Sequence, residues 1–400
     1  MTGAIAGAAG GAAGGAAGGA CDACLARTGL LARLAGHLDQ ARDRIGELLA
    51  LPEVELIAAV GGARRSAIER DHAAFGARDA QSAREQAARA GLELLCRCDP
   101  AYPARLHDLA APPAVLHIYG DLERFLALTG EPAAAIVGSR RPSPYGVTVA
   151  HALGRGLAAA GVAVISGMAL GIDGAAHRGA LDAPAPTVAV LAGAAERAYP
   201  ASARALHERI RAIGAVVSEL PPGTESRRWM FPARNRIIAA LSALTVVVEA
   251  RARSGALVTA RHALELGRAV GAVPGRVTSP LARGPHGLLR DGARLIEGPE
   301  DLLEALFGPG SAGSPGSAAS PGSPGSPGSP GSPGRDRDPL EPPLQALLDA
   351  LAEGHGMAAA LVRAGLNADE GLAALAALEL AGRIRRAAGG RYIVAAAWWT

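Results

Sequence analysis

The sequence contains no lysine, so arginine supplies all 40 of its basic residues. Arginine presents phosphate with a planar fork of donors, whereas lysine presents a point charge. Aromatic residues make up only 3% of the chain, so alanine, leucine and valine must build most of its core. The formal net charge is +3, which is too small for a strong global field around the molecule. Any nucleic-acid binding must therefore use a local basic patch.

Secretory and membrane-spanning segments are also missing. The first twenty residues are rich in glycine and alanine, and they lack the basic start and apolar middle of a signal peptide. No other apolar run is long and lipophilic enough to span a bilayer. Residues 1–20 predict a disordered tail, and the whole chain predicts a cytoplasmic protein without membrane contact.

Cysteine is scarce as well. Four cysteines in 400 residues do not make a disulfide framework. Cys21 and Cys24 lie in "CDAC", Cys96 and Cys98 lie in "CRC", and together they could form a four-thiolate zinc site. Ordinary buried cysteines are more common, and C-x-C is tight for two ligands of one ion. The sequence therefore favours the absence of a metal site.

Composition divides the chain into five parts. After the tail, residues 21–100 carry apolar residues at helical spacing and predict an N-terminal helical domain. Residues 101–307 alternate apolar runs with amphipathic helices, and residues 308–339 form a Gly-Ser-Pro linker. Residues 340–397 predict three short helices and a basic hairpin, "GRIRRAAGGRYIV", as in a winged-helix domain. A generic small helical domain is the alternative for this last part.

The central part predicts an α/β fold with a doubly wound, Rossmann-like parallel sheet. Its predicted strands are residues 133–138, 162–167, 187–193, 215–220, 244–250 and 269–275. Nearly continuous apolar runs are typical of parallel strands that helices cover on both faces. In such a sheet, ligands bind beyond the carboxyl ends of the strands.

Those strand ends predict a phosphate pocket. Gly138, Gly167 and Gly193 each end a strand and open toward a helix. Small residues there let backbone N–H groups approach an anion, and the helix dipole favours negative charge. Arg140 and Arg141 supply the counter-charge. For any single glycine, an ordinary strand-to-helix turn is the alternative.

Other chemistries fit the sequence less well. The first loop reads "GSRRPSPYG" rather than G-x-G-x-x-G, which disfavours a dinucleotide cofactor. Asp173 and His177 are four residues apart, but no further ligands accompany them for a metal site. Ser166 lacks the G-x-S-x-G turn of a serine nucleophile. We expect Asp173 to cap a helix and His177 to make a structural hydrogen bond.

A second arginine cluster, "FPARNRIIAALS", precedes an apolar helical run. Arg234, Asn235 and Arg236 at a helix start could bind phosphate, or the arginines could form ion pairs with Glu219 or Glu249. The sequence leaves both alternatives open.

Several motifs together resemble one known family. "AIVGSRRPSPYG", "ISGMALGIDGAAHRGAL", "SELPPG", "FPARNRIIAALS" and "VVVEARARSGALVTARHALELGR" follow one another as in the DNA-processing protein A (DprA, or Smf) family, over roughly residues 101–306. The flanks agree, because the family often has an N-terminal helical domain resembling a sterile-alpha-motif or helix-hairpin-helix module and a C-terminal winged helix. The resemblance implies a dimeric, single-stranded DNA-binding protein without known catalysis or cofactor. It also implies protection of incoming DNA during natural transformation and loading of the RecA recombinase.

The resemblance also implies site residues. Arg140 falls on the family's phosphate-contacting arginine, and Arg234 and Asn235 fall in its "RNR" motif. The full predicted DNA- and phosphate-binding set is Gly138, Ser139, Arg140, Arg141, Ser166, Gly167, Gly193, Arg234, Asn235, Arg253, Ser254 and Gly255. Leu170 stands where the family usually has lysine or arginine, and Arg178, Arg251 or Arg253 could compensate.

Two functions from different classes remain. In a DNA-binding module, the few aromatic residues Tyr145, Trp229 and Phe231 could stack on bases. The alternative is a nucleotide-processing enzyme resembling the phosphoribohydrolases, which carry "PGGxGTxxE". The comparable stretch here, "RSGALVTARHALE", lacks that glycine run, so the sequence favours the binding module.

Overall fold

The computed structural model describes residues 19–183, 186–308 and 342–352, with shorter stretches between residues 361 and 394. The predicted tail lies outside the described residues except at its last two positions, and the predicted linker lies outside them after Gly308. The chain forms two compact units, residues 1–319 and residues 320–400.

Six short helices open the first unit. They are α1 (Asp22–Arg33), α2 (Ala35–Gln40), α3 (Ile45–Ala50), α4 (Glu53–Val60), α5 (Arg65–Ala73) and α6 (Ala77–Arg89). Leu30, Leu34 and Leu38 recur every four residues, so they share one face and are fully buried in a common cluster. The indole Nε1 of Trp229 donates to the Ala35 carbonyl oxygen in the same cluster at 2.9 Å. The helices are thereby anchored to the part of the unit that contains the sheet.

A nine-stranded sheet follows. Its strands are β1 (Leu92–Cys96), β2 (Val115–Gly120), β3 (Ala134–Val137), β4 (Val164–Ser166), β5 (Thr187–Val190), β6 (Ala215–Ser218), β7 (Leu244–Val247), β8 (Ala269–Ala272) and β9 (Arg294–Leu295). Their order is β1-β2-β6-β5-β4-β3-β7-β8-β9. Neighbours from β6 to β9 are parallel, while β1 and β2 add an antiparallel edge. The predicted Rossmann-like α/β fold is confirmed.

The six predicted strands are all present, and each ends one to three residues earlier than predicted. The apolar run continues past each strand because the following loop is itself buried, as at Leu191 and Val248. Three strands were not predicted: the edge strands β1 and β9, and β2, which lies between β1 and β6. Residues 92–96, which the sequence assigns to the helical part, instead pair with β2 in the sheet.

Helices cover both faces of the sheet. The remaining helices of this unit are α7 (Leu122–Gly130), α8 (Pro144–Ala159), α9 (Ile172–Leu181), α10 (Arg204–Ile213), α11 (Met230–Leu241), α12 (Gly255–Glu265), α13 (Arg283–Arg290) and α14 (Pro299–Phe307). Ala135 and Val137 of β3 pack in one core cluster with α7, α11 and α12. Ala134 and Ile136 pack in another with α8, α9 and α14. The alternation of side chains along β3 thus feeds two apolar layers.

The second unit contains α15 (Pro342–Ala352) and the antiparallel strands β10 (Ile384–Arg386) and β11 (Tyr392–Val394). These strands confirm the predicted hairpin, whose Gly389-Gly390 turn lies outside the described residues. The winged helix as a whole stays a prediction. Within the described parts of the chain, no helix has the length and apolar character needed to cross a lipid bilayer.

Candidate phosphate-binding site

A cavity of about 620 Å³ opens at the carboxyl ends of β3 and β7. β3 and β7 are neighbours in the sheet. The strand that follows β3 in the chain, β4, lies on one side of this pair, and the strand that follows β7, β8, lies on the other. The chain therefore leaves β3 and β7 in opposite directions along the sheet. Such a reversal leaves a crevice, which is where open α/β sheets bind ligands. Most of the predicted phosphate-binding residues line this cavity: Gly138, Ser139, Arg140, Arg141, Arg234, Asn235, Arg253, Ser254 and Gly255.

Four exposed arginines give the cavity its charge. Arg140 and Arg141 follow β3, and Arg251 and Arg253 follow β7; all four line the cavity. Among the described residues of the lining, Asp173 is the acidic one, and it is only 6% exposed. The accessible charge is therefore positive. Guanidinium groups from two loops can hold neighbouring phosphates with paired, charge-assisted hydrogen bonds.

The loop after β3 is held tightly against its neighbours. A Cβ at Gly138 would lie 2.7 Å from Cγ1 of Ile172 and 2.9 Å from the carbonyl oxygen of Glu249, so only glycine fits there. The Ser139 N–H donates to that same Glu249 oxygen at 2.6 Å. The Ser139 hydroxyl accepts from the Arg141 N–H at 3.1 Å. These two amides are used within the protein, whereas the side chains of Arg140 and Arg141 are exposed and line the cavity.

Arg140 is positioned by an aromatic ring. Its guanidinium carbon lies 4.7 Å from the centroid of the Phe231 ring, a cation–π contact. Phe231 in turn contacts Tyr199, with ring centroids 5.4 Å apart. A second cavity of about 90 Å³ shares Arg140 and Phe231 with the first and is also lined by Leu170. Arg140 therefore stands between two cavities with an aromatic surface beside it.

Arg234 lies beneath the cavity rather than at its rim. It is 5% exposed, and its guanidinium donates to the carbonyl oxygen of Gly167 at 2.7 Å and to that of Val190. Burial lowers the pKa of Arg234 to about 10, while nearby Asp173 opposes the shift, so the side chain stays protonated at neutral pH. Burial also raises the pKa of Asp173, and Arg234 opposes that shift. Asp173 accepts from the Gly167 N–H at 3.2 Å, so the pair fixes the loop after β4.

Three helix N-termini approach this region, and two of them already have a carboxylate in or beside the first turn. Glu249 accepts from the N–H and the hydroxyl of Ser143, the residue that caps α8, at 2.8 and 2.6 Å. Asp173 lies in the first turn of α9 but does not cap this helix as predicted, because Gly171 is the N-cap residue and the Asp173 carboxylate accepts from the Gly167 N–H instead. The N-terminus of α12 differs, because Ser254 caps it and both Ser254 and Gly255 line the cavity. Among these three, α12 is the helix whose positive end is directed into the cavity.

Several predicted residues do not reach the main cavity. Ser166 is fully buried and donates to the Ile136 carbonyl oxygen at 2.6 Å, so it cannot contact a ligand. Gly193 is buried against Ser226, and Gly167 lines only the smaller cavity. Trp229 is also fully buried, which excludes the base stacking considered for it. These positions form walls and supports behind the site.

The hydroxyl of Tyr145 donates to the Pro274 carbonyl oxygen, and this residue lines a separate cavity beside Glu249 and Pro274. Of the three aromatic residues considered for stacking, Phe231 is the one at the site. A half-buried ring beside exposed guanidinium groups suits a nucleic-acid base next to its phosphate.

Of the remaining polar candidates, His177 and Arg236 have structural roles and Asn235 lies at the cavity. Nδ1 of His177 lies 2.9 Å from the Thr187 hydroxyl, and burial lowers the pKa of His177 to about 3, so it is a neutral structural group. Arg236 forms a buried ion pair with Glu219 at 2.6 Å. Asn235 lines the cavity and donates to the Gly255 carbonyl oxygen at 3.1 Å. Within the "RNR" motif, Arg236 thus forms the ion pair that the sequence allowed, while Asn235 lines the candidate phosphate-binding cavity.

Seven lining residues were not predicted: Val137, Ala169, Pro232, Ile238, Ala256, Val258 and Thr259. A sequence signal existed for two of them, because Val258 and Thr259 follow Gly255 at helical spacing and share its face of α12. The described lining contains no histidine or cysteine, and Asp173 is engaged by Arg234 and a backbone amide. The arrangement is suited to holding anions.

Comparisons with known proteins identify relatives of this chain. The model of the family "DNA recombination-mediator protein A" matches residues 93–307. A DNA processing protein DprA of Mycobacterium tuberculosis is 52% identical over 172 residues, which are 43% of this chain and 44% of that protein. The Streptococcus pneumoniae DprA is 38% identical over 205 residues, 51% of this chain and 71% of its own. This chain thus spans less than half the length of the mycobacterial relative.

A solved structure extends the comparison to the fold. The X-ray structure of DNA processing protein A from Streptococcus pneumoniae superposes with a TM-score of 0.57 and 29% sequence identity, over 71% of this chain and 96% of that one. The matched region of the sequence contains the whole arginine-lined cavity and all the strands from β2 to β9. With more than half of its residues matched by one family model, the chain belongs to the DNA recombination-mediator protein A family, also known as DprA or Smf.

Proposed function

We propose that this protein binds single-stranded DNA at the cavity between β3 and β7 and acts as a DNA recombination mediator. The observation that carries the proposal is the set of four exposed arginines, Arg140, Arg141, Arg251 and Arg253, around one crevice. Duplex readout needs an element that projects into a groove. The crevice here is concave and has an aromatic ring in its wall, which favours an extended strand with accessible bases.

The groups around the crevice read the DNA backbone. Arginine side chains and a helix N-terminus contact phosphate oxygens, which are the same in every sequence. Binding should therefore be independent of base sequence and strongly dependent on salt. If all four arginines neutralise phosphates, log affinity should fall with log salt with a slope of about −3.

The decisive experiment is fluorescence anisotropy with labelled single-stranded and duplex oligonucleotides over a range of salt concentrations, on the parent and on Arg140→Ala. Arg140 is exposed, so the fold should survive its loss. Single-strand affinity should fall by about tenfold or more, because hydrogen bonds to charged groups are worth about 1.5–3 kcal/mol. The slope should become shallower by about 0.7, the value of one phosphate contact.

Arg89→Ala is the matched control. Arg89 is exposed on α6 and pairs loosely with Glu85 at 3.7 Å, away from the lining of the cavity. It removes the same charge and should leave affinity nearly unchanged. Equal losses for both variants, or a folded Arg140→Ala that binds like the parent, would show that the cavity is not the binding site.

The finer parts of the proposal rest on the family resemblance. They are protection of incoming DNA, loading of the RecA recombinase, a homodimer and a cytoplasmic location. We also propose the domain division at residues 21–100, 101–307 and 340–397, with the C-terminal part as a winged helix in an auxiliary role. RecA loading is tested by RecA-dependent ATP hydrolysis on single strands coated with a single-strand-binding protein. Analytical ultracentrifugation tests the dimer.

A further inference from the structure

The four cysteines of the chain lie together at one point of the fold. Cys21 caps the N-terminus of α1, Cys24 lies in its first turn, Cys96 ends β1, and Cys98 follows in the next turn. Their four sulfur atoms all lie within 4.8 Å of one another. Cys24 and Cys98, 74 positions apart in sequence, have their sulfurs 3.7 Å apart. None of these residues lines the arginine-rich cavity.

Ordinary burial does not account for this cluster. Cys24 and Cys96 are buried among apolar side chains, but Cys21 is half-buried and Cys98 is exposed. An exposed cysteine gains nothing from the apolar core, yet its sulfur approaches that of a buried cysteine. The small number of cysteines supports the same conclusion, because all four in this 400-residue chain lie at one place.

We propose that Cys21, Cys24, Cys96 and Cys98 bind one structural zinc ion as a four-thiolate site. In a tetrahedral site with Zn–S bonds of about 2.3 Å, sulfurs stand about 3.8 Å apart, so the spacing here is that of ligands around a single ion. In a [4Fe–4S] cluster each thiolate bonds a different iron atom, and in a [2Fe–2S] cluster two thiolates bond each of two irons, so in both the four sulfurs spread farther apart than around one ion. The tight C-x-C spacing is accommodated because residues two apart at the end of a strand can point to the same side.

The surroundings suit a metal–thiolate site. The α1 N-terminus, with its positive end, lies against the thiolates. The segment that carries Cys21 is also held by contacts that do not involve the sulfur atoms. Arg84 on α6 donates to the Ala20 carbonyl oxygen at 2.8 Å and to Asp22 at 2.5 Å. The exposed Cys98 leaves an entry path for the ion. Binding converts four thiols to thiolates and releases their protons to solvent as four Zn–S bonds form.

The site would have a structural task. β1 is the edge strand of the sheet and pairs only with β2 among the described strands. A zinc ion between the start of α1 and the end of β1 joins the N-terminal helices to this edge. The ion thus fixes the boundary between the two parts of the first unit.

Zinc content of the full chain is the direct test. The protein is purified without a histidine tag, which would itself bind metal, from zinc-supplemented medium, and its metals are measured by mass spectrometry. We expect about one zinc ion per chain. Zinc should leave when a mercurial reagent blocks the four thiols. Cobalt added to the stripped protein should give the intense sulfur-to-cobalt charge-transfer absorption of a four-thiolate site.

Variants locate the ion. Cys98→Ala removes an exposed side chain, so it should fold, and its zinc affinity in competition with a chromophoric chelator should fall by at least about tenfold. Cys98→His supplies another zinc ligand and should keep most of the affinity. Arg97→Ala is the control, since Arg97 is exposed between two ligands and offers none.

Several outcomes would overturn the proposal. The parent chain could contain no stoichiometric zinc and have four freely reactive thiols, or a disulfide in place of two of them. It could contain iron instead. Cys98→Ala could bind zinc as tightly as the parent does, which would place the ion elsewhere. The cobalt spectrum of the parent decides the matter if a variant fails to fold.

Discussion

Two arginines of one cavity have different environments, although the family resemblance implies that both belong to the phosphate-binding set. Arg140 is exposed beside Phe231 and can turn toward a ligand. Arg234 is buried, and its guanidinium is committed to the carbonyl oxygens of Gly167 and Val190 and faces Asp173. A sequence shows that arginine is present, but burial decides which partner it has. Arg234 therefore positions the loop after β4, and Arg140 is the one that we propose for contact with DNA.

Leu170 offers a test at the scale of one residue. It is 54% exposed and lines the smaller cavity next to Arg140. Leu170→Arg adds a cation beside the site and should strengthen single-strand binding by about three- to tenfold at low salt, because charge-assisted contacts at exposed positions are partly screened. The salt slope should steepen by up to about 0.7. Anisotropy titrations at several salt concentrations measure both quantities.

The matched control for this variant is Leu264→Arg. Leu264 is 57% exposed and lies toward the other end of α12, about 14 Å along the helix axis from Gly255. That distance exceeds the screening length of about 10 Å at 0.1 M salt. Leu264→Arg should change affinity little. If both variants strengthen binding equally, net charge rather than position explains the gain.

At the scale of elements, the sequence predicts the parallel core of the fold well and its edges poorly. The six central strands are long apolar runs between helices, and all six are present. β1 and β9 were missed because β1 directly continues a helical pattern and β9 is only two residues long with both side chains exposed. Pairing with neighbours, not a local pattern, makes these segments strands.

The same contrast holds for the site. Residues after β3 and β7 stand together in the set that the family resemblance implies, and the strand order brings them to one cavity, whereas Gly193 after β5 stays outside it. The sequence could not show that Glu249 occupies the N-terminus of α8. Nor could it show that Ser166 is turned inward to Ile136. These are consequences of tertiary packing between distant segments.

The junction of β4 and α9 with α11 yields a stability prediction. A Cβ at Gly167 would lie 2.4–2.5 Å from the guanidinium atoms of Arg234, a buried group that cannot move away freely. Gly167→Ala should destabilise the protein by roughly 1–3 kcal/mol, as overpacking does in other cores. It should lower the midpoint of urea denaturation followed by circular dichroism.

Gly29→Ala is the control for Gly167→Ala, and we expect it to raise the stability of the protein or leave it unchanged. Gly29 lies within α1, and a Cβ there meets nothing within 4 Å. Alanine is favoured over glycine inside a helix by roughly 0.5–1 kcal/mol, so the midpoint should rise or stay constant. A Gly167→Ala protein as stable as Gly29→Ala would mean that Arg234 does not pack against this loop as described.

At the scale of the whole molecule, the net charge is small. A net charge of +3 cannot steer DNA over long distances, so affinity must come from the local cluster of arginines at the cavity. The first compact unit contains that cavity, the whole nine-stranded sheet and the cysteine cluster. The second unit contributes the antiparallel hairpin β10–β11. The two units therefore have separable tasks if the cavity is the main DNA site.

A chain that ends at Gly308 tests this separation. It retains every residue of the cavity and of the cysteine cluster. Single-strand affinity should fall by less than about tenfold, equivalent to 1.4 kcal/mol, and the salt slope should stay near that of the full chain. Circular dichroism establishes that the shortened chain is folded. If it is folded and does not bind, the basic hairpin within residues 382–394 is the main DNA contact, and the arginines between β3 and β7 serve another anion.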